Sequence, residues 1–519
     1  MKKLLLIIWS LQLMLVSCST NDLHTDPTGF YTDENFWTSE KGATAALSGC
    51  YATLRSAGLF GGDAVPLLED TATPNAYNYD NSGGFSVIAN GTQTANNSAI
   101  INNRWRACYE GVGRTNTFLD NVGSVPMSED IRNRMIAEAK FLRALYYSIL
   151  QMYYGGVPLI LETPTLDHAS LPRNARNEIV TQVLKDLDEA AEGLPATYTG
   201  DDIGRATKGA ALALKARVLL FEASPLNNPN NAADKWEAVA AASESVMNLS
   251  EAGYNLLSNY RQVFMPQNDN SAESVFAVQF KAPEQGSSFD LIGRQYNTNA
   301  PIRDLIDAYY MKDGRLSSES SLFDPASPYR DRDPRMYQTL VYPGDIYMGS
   351  VTTPTEPFKI TGYGVKKYTI YDKEPNTNII NGGRSETNYM LIRYADVLLM
   401  YAEAKNEVLD TPDESVYAAI ERIRKRAGLD PYSLPRDLNK SQMRDLIRHE
   451  RRIELALEGF YYTDIRRWKT AETVLNSTVY NAMEQPLVTR RFNPQRDYWW
   501  PIPDRERELN PNLEQNANY

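Results

Sequence analysis

Between Ser39 and Leu54, apolar residues recur at spacings of three and four (Ala43, Ala46, Leu47, Cys50, Tyr51 and Leu54), a pattern that predicts an amphipathic helix. Ser39 and Glu40 supply its N-cap and first-turn acid. The same period predicts helices over 100–122 and 128–154. In the second of these, Ile131, Met135, Ala139, Leu142, Leu145, Ile149 and Tyr153 trace one broad face that ends at Gly155-Gly156-Val157-Pro158. Helices over 176–192, 207–222 and 233–249 complete a helical first half.

These amphipathic segments follow one another closely. Alanines stud the fifth (Ala206, Ala210, Ala211, Ala213, Ala216), where helices must approach tightly. Two packings suit this pattern: antiparallel pairs stacked like tetratricopeptide repeats, or an irregular helical bundle without a strict repeat. From Tyr260 to Arg384 the character changes. Proline and glycine recur, and strand-like runs at 274–280, 336–342 and 364–370 are separated by long polar segments, which predicts a loop-rich insert. Helical periodicity returns over 394–408, 415–427 and 440–457, before the aromatic tail Tyr498-Trp499-Trp500-Pro501-Ile502-Pro503.

The amino terminus has a different pattern. Lys2 and Lys3 precede an apolar run from Leu4 to Val16, broken only by Ser10 and Gln12 and too short to span a bilayer. It ends in Leu15-Val16-Ser17-Cys18, the layout of a bacterial lipoprotein signal, so residues 1–17 are expected to be removed and Cys18 to carry the lipid. Lipidation with several acyl chains gives stable anchoring where a single chain is marginal. The alternative is a simple secreted protein cut nearby. Residues 18–38 then read as a tether to the body.

Charge narrows the function. The formal net charge of −12 becomes −14 once Lys2 and Lys3 leave with the signal, which argues against a nucleic-acid partner. With Cys18 lipidated, only Cys50 and Cys108 remain, and both sit in helical, apolar stretches that favour burial over a disulfide. His24, His168 and His449 lack neighbours at ligand spacing, so no metal and no cofactor is expected.

Glu450 and Glu454 form the most enzyme-like pair, at the i,i+4 spacing that puts two carboxylates on one helix face. Leu446, Ile453 and Leu457 share that stripe, and arginines abound nearby. The pair therefore reads as a buried ion network, as do Asp396 and Glu403 against Arg393. No nucleophile elbow, phosphate loop or dinucleotide fingerprint is present, so no catalytic residue is expected. The stretch from Asp70 to Asn103 is of another kind. It interleaves Tyr77, Tyr79 and Phe85 with Asp70, Asn75 and Asn81 in a long inter-helix loop, a mixture suited to stacking on sugar rings and bonding their hydroxyls. A solvated loop whose tyrosines cover the body is the alternative.

Several stretches together resemble the SusD/RagB family of outer-membrane lipoproteins. They include Asn35-Phe36-Trp37, Ala137-Glu138-Ala139-Lys140-Phe141-Leu142-Arg143-Ala144, Gly204-Arg205-Ala206-Thr207-Lys208-Gly209 and Asp331-Arg332-Asp333-Pro334-Arg335. Arg393-Tyr394-Ala395-Asp396-Val397-Leu398, Glu450-Arg451-Arg452-Ile453-Glu454-Leu455 and the closing Pro501-Ile502-Pro503 extend the match over nearly the whole mature chain. The resemblance implies a mainly α-helical, tetratricopeptide-like scaffold, with an N-terminal part over 39–259 and a C-terminal part over 260–519 that carries the insert 260–385. It implies non-catalytic capture of a glycan for a SusC-like TonB-dependent outer-membrane transporter, with ligand contacts in the 70–103 loop and in the insert at Arg294, Tyr296 and Tyr347. RagB-like peptide capture is the runner-up, and a surface glycosidase ranks last.

Overall fold

The computed structural model describes residues 36–61 and 65–519. The signal 1–17, the anchor Cys18 and the tether up to residue 35 lie outside the described residues. The helices α1 (Glu40–Ala52), α2 (Ala99–Asn121), α3 (Glu129–Tyr154), α4 (Arg176–Gly193), α5 (Lys208–Ala223) and α6 (Ala233–Met247) form a continuous stack in which each packs on the next. The stack continues across the insert. α7 (Tyr394–Val408) docks on α6, and both α8 (Glu414–Ala427) and α9 (Lys440–Glu454) pack on α7.

Local chemistry sets these boundaries. The Ser39 hydroxyl accepts from the Gly42 N–H at 3.3 Å, and Ser128 and Thr207 cap α3 and α5 in the same way. Asn439 and Gln442 bond reciprocally at 3.0 Å to open α9. Gly155, with φ of 79°, ends α3 in a conformation that a side chain would disfavour. Within α5, Ala210, Ala211, Ala213 and Ala216 are fully buried, which lets α5 seat against α4 and α6. Cys50 and Cys108 are buried and free.

Strand content is slight. Five two-stranded antiparallel sheets occur among the described residues: β1 (Ala76–Tyr77) with β3 (Ala300–Pro301), β2 (Ser274–Val278) with β8 (Tyr389–Arg393), β4 (Leu340–Val341) with β7 (Gly364–Val365), β5 (Ile346–Tyr347) with β6 (Ser350–Val351), and β9 (Thr478–Tyr480) with β10 (Pro486–Thr489). The run at 336–342 is mostly not a strand. Asp333 accepts from the Arg335 N–H at 2.9 Å and Pro334 occupies the first turn, so Pro334–Thr339 is helical and only Leu340 and Val341 pair. The run at 364–370 is likewise cut to two residues by the left-handed Tyr368, at φ of 60°. Helix α9 stops at Glu454, short of 457, because Leu457 adopts φ of 61°.

One buried ion network, joined through Glu454, ties the insert and the C-terminal helices to the stack. Arg335 meets Asp333 at 2.8 Å, Glu450 at 2.6 Å and Glu454 at 3.0 Å, while Arg393 meets Glu273 at 2.9 Å and both Glu454 and Glu458 at 2.7 Å. All these side chains are fully buried. Glu450 and Glu454 are therefore saturated with guanidinium partners and present no carboxylate to a substrate. Asp396 and Glu403 do not pair with Arg393, as the sequence suggested. Asp396 lies between Arg217 at 2.6 Å and Arg451 at 2.5 Å, and Glu403 grips Arg467 at 2.7 Å, because Arg393 ends β8 and is committed to Glu273, Glu454 and Glu458.

Candidate functional site

The segment between α1 and α2 is more ordered than a free loop. Tyr77 pairs with Ala300 and Ala76 with Pro301, so the sheet β1–β3 ties this segment to the insert. The Tyr79 hydroxyl donates to the Tyr296 carbonyl at 3.0 Å, bringing together two candidates far apart in sequence. Tyr79 and Tyr296 are 43% and 49% exposed.

Short side-chain bonds shape the rim. The Ser82 N–H and hydroxyl donate to Asp80 Oδ1 at 2.9 and 2.6 Å, Asn78 Nδ2 donates to the Ser82 carbonyl at 2.8 Å, and Asn81 Oδ1 accepts from the Ser86 N–H at 3.0 Å. These turns need asparagine and aspartate because their side chains bond nearby backbone and tolerate left-handed φ, which Asn81 adopts at 60°. Beneath the rim opens a cleft of about 350 Å³ lined by Tyr77, Tyr79, Asp80, Asn81, Asn90 and Arg490, among others. Its far wall is the C-terminal hairpin β9–β10 and the residues just after it. That wall comes so close that a side chain at Gly91 would meet the Arg491 carbonyl at 2.5 Å.

Three candidates are not in the cleft surface. Asp70, Asn75 and Phe85 are fully buried, so none of them presents a face to a ligand. Phe85 belongs to the main hydrophobic core. Asn75 Oδ1 accepts from Arg452 Nε at 2.9 Å and so holds the last turn of α9, while Asp70 Oδ2 accepts from the Leu457 N–H at 2.5 Å and holds the turn that follows it. Tyr347 was expected to be exposed, but it is only 4% exposed and packs against Phe358, with ring centroids 5.6 Å apart. Arg294 is half-buried over the Tyr371 ring in the same insert cluster. The candidates brought together are therefore Tyr77, Tyr79 and Asn81, with Tyr296 alongside. Arg490, Val488 and Ser86 complete the cleft, and nothing in the local sequence marks Arg490 or Val488 for it.

Burial pushes the Asp70 carboxyl up to about 7, against the lowering effect of the Leu457 N–H and Asn75. A carboxyl whose folded value lies above its unfolded one contributes stability that is full below about pH 4 and is lost as pH rises towards 7. Asp70→Asn should therefore flatten the pH dependence of unfolding between pH 4 and 7 and stabilise the protein at pH 8 by about 2 to 4 kcal/mol. Denaturant midpoints at pH 5 and pH 8 check this; an unchanged pH slope contradicts it.

The helical stack carries a cleft of tyrosines and amides, and Glu450 and Glu454 are bound up in a buried ion network. Comparison with known proteins supplies the class. Residues 244–519 match the family described as the SusD family, and residues 66–220 match one described as starch-binding associating with outer membrane. The chain belongs to the SusD family, a non-catalytic binding family. It is 27% identical to the SusD-like protein P2 of Formosa agariphila over 99% of each chain, and 27% identical to a SusD-like protein of Bacteroides ovatus over 90% of this chain and 83% of that one. Among solved structures, a SusD-like carbohydrate binding protein of Bacteroides fragilis superposes with a TM-score of 0.81 at 28% identity, covering 92% of this chain and all of that one. A second SusD-like protein of the same organism gives 0.80 at 27%, covering 94% and 99%.

Proposed function

We propose that this protein captures a carbohydrate in the Tyr77–Tyr79 cleft and passes it, unaltered, to a SusC-like TonB-dependent transporter in the outer membrane, where Cys18 anchors it by lipid. The observation that carries the reading is the composition of the cleft. A sugar ring stacks its C–H face on an exposed aromatic such as Tyr79, while the planar amides of Asn81 and Asn90 and the Asp80 carboxylate meet its hydroxyls. The starch-binding family description and the carbohydrate-binding relative from Bacteroides fragilis support the same class of ligand. Among the described residues, no helix is long and apolar enough to cross a membrane. The anchor at Cys18 rests on the Leu15-Val16-Ser17-Cys18 sequence.

Affinity electrophoresis of the purified protein through gels containing a panel of polysaccharides tests the ligand class. Retardation by at least one polysaccharide is expected. Passage through all of them, together with binding of oligopeptides, would replace this reading with peptide capture. The anchor has its own test. Cys18→Ala, expressed without the transporter, should move from the membrane fraction to the soluble fraction and lose metabolic lipid label.

A further inference from the structure

One wall of the cleft holds a positive charge that pairs with no carboxylate among the described residues. Arg490 is 1% exposed and borders the cleft. Its Nη1 donates to the Thr73 carbonyl, and its Nη2 to those of Thr71 at 2.9 Å and Ala76 at 2.6 Å. Its Nε–H, shut off from solvent, has no acceptor. Elsewhere the chain neutralises buried arginines with acids, as at Arg335, Arg393, Arg451 and Arg467. Arg332 and Arg466 also rest on carbonyls, but neither borders this cleft.

Carbonyl oxygens satisfy N–H groups yet carry only partial charge, so a guanidinium held by them alone keeps most of its desolvation cost. Burial accordingly draws the Arg490 guanidinium down to about 10, with Asp304 acting in the opposite direction. Asp304 makes no ion pair with Arg490, and burial raises its own carboxyl. The other nearby acid, Asp80, lies exposed on the rim with one oxygen already taken by Ser82. The wall of the recess therefore holds a cation that pairs with no carboxylate among the described residues.

We propose that the cleft selects glycans bearing an anionic substituent, the carboxylate of a uronic acid or a sulfate ester, seated towards Arg490. This rests on the cleft being the carbohydrate site. An anion there supplies the missing countercharge where the local dielectric is low and the attraction correspondingly strong. The ring carrying it stays within reach of the Tyr79 face.

Titration calorimetry of the purified protein with three size-matched probes tests this: a neutral gluco-oligosaccharide, an oligogalacturonate and a sulfated galacto-oligosaccharide. At least one anionic probe should bind about tenfold or more tighter than the neutral one at low salt, and the gap should narrow as salt is raised. Whichever anionic probe is preferred identifies the substituent. Arg490→Gln should abolish the preference, whereas Arg490→Lys, which keeps a cation without the three-carbonyl grip, should retain it. Equal affinity for neutral and anionic probes overturns the proposal and leaves carbohydrate capture standing. Binding of none of the probes, with none of the polysaccharides retained in gels, overturns both.

Discussion

Arg393→Met should leave little folded protein. The guanidinium of Arg393 bonds Glu454, Glu458 and Glu273 at 2.7 to 2.9 Å in a site with no solvent access, and it joins the end of β8 to the turn after α9. Methionine fills comparable volume but takes one guanidinium away from three buried carboxylates. Glu458 would keep Lys367, Glu454 would keep Arg335 and Arg426, and Glu273 would keep Arg426, so each retains a partner while one excess negative charge stays buried. Breaking one buried pair costs about 3 to 5 kcal/mol, and the loss here should reach at least the top of that range, against a total stability of about 5 to 15 kcal/mol. Guanidinium denaturation measures it. Arg114→Met, which breaks the half-exposed pair with Glu110 and an exposed bond to the Gly49 carbonyl, is the control and should cost less than about 2 kcal/mol. Equal midpoints for the two variants would contradict the structural role assigned to the network.

A steep loss of stability below about pH 4 is the second large effect. Burial alone would raise the carboxyls of Asp396, Glu403 and Glu454. Arg451 and Arg217 outweigh it at Asp396, Arg467 at Glu403, and Arg426, Arg393 and Arg335 at Glu454, and each carboxyl is held at about 2. Groups depressed in this way contribute stability that is full above their unfolded values and is lost as pH falls from about 4.5 towards 2. Each accounts for on the order of 2 to 3 kcal/mol, so together they approach the whole stability of the fold. Between pH 4 and 7 the balance differs. Asp70 and Asp269, pushed up to about 7 by burial, favour lower pH, while His449, pushed down to about 4 by burial and by Arg452, opposes them. The expected profile is a broad plateau on the acid side of neutral that collapses below pH 4. Melting temperatures recorded from pH 2 to 8 check it; a protein as stable at pH 2 as at pH 5 contradicts it.

The helical stack was legible because each long helix carries an apolar period, and several add a local signal: a capping serine, threonine or asparagine at α1, α3, α5 and α9, and a terminating glycine after α3 and α8. The tetratricopeptide-like order followed from consecutive amphipathic helices and the alanine-studded α5. The insert was not legible to the same degree. Its strands are two to five residues long and pair with partners as distant as Tyr389–Arg393 for Ser274–Val278, so no local alternation records them. At 336–342, the Asp-Pro helix start outweighed the β-branched and aromatic pattern.

The cleft shows the same division. Tyr77, Tyr79 and Asn81 were found because aromatic and amide residues sit side by side in the sequence. Asp70 and Asn75 belong to the same run, but they are buried by bonds to Leu457 and Arg452, hundreds of residues away, and such bonds leave no trace in local composition. Phe85 followed the core because an aromatic in a short helix pays more by burial than by display. Arg490 is the reverse case: it was missed because its role arises only when the C-terminal hairpin closes over the segment after α1.

The central claim is that the tyrosine cleft binds carbohydrate, and the most direct test is titration calorimetry with a glycan that the wild-type protein retains. Tyr77→Ala/Tyr79→Ala removes the stacking faces while leaving Asp70, Asn75 and Phe85 to hold the segment, so circular dichroism and melting temperature should stay close to wild type. Each lost ring contact is worth roughly 0.5 to 1.5 kcal/mol, so affinity should fall about tenfold or more. A double variant that binds the same glycan with wild-type affinity would contradict the account.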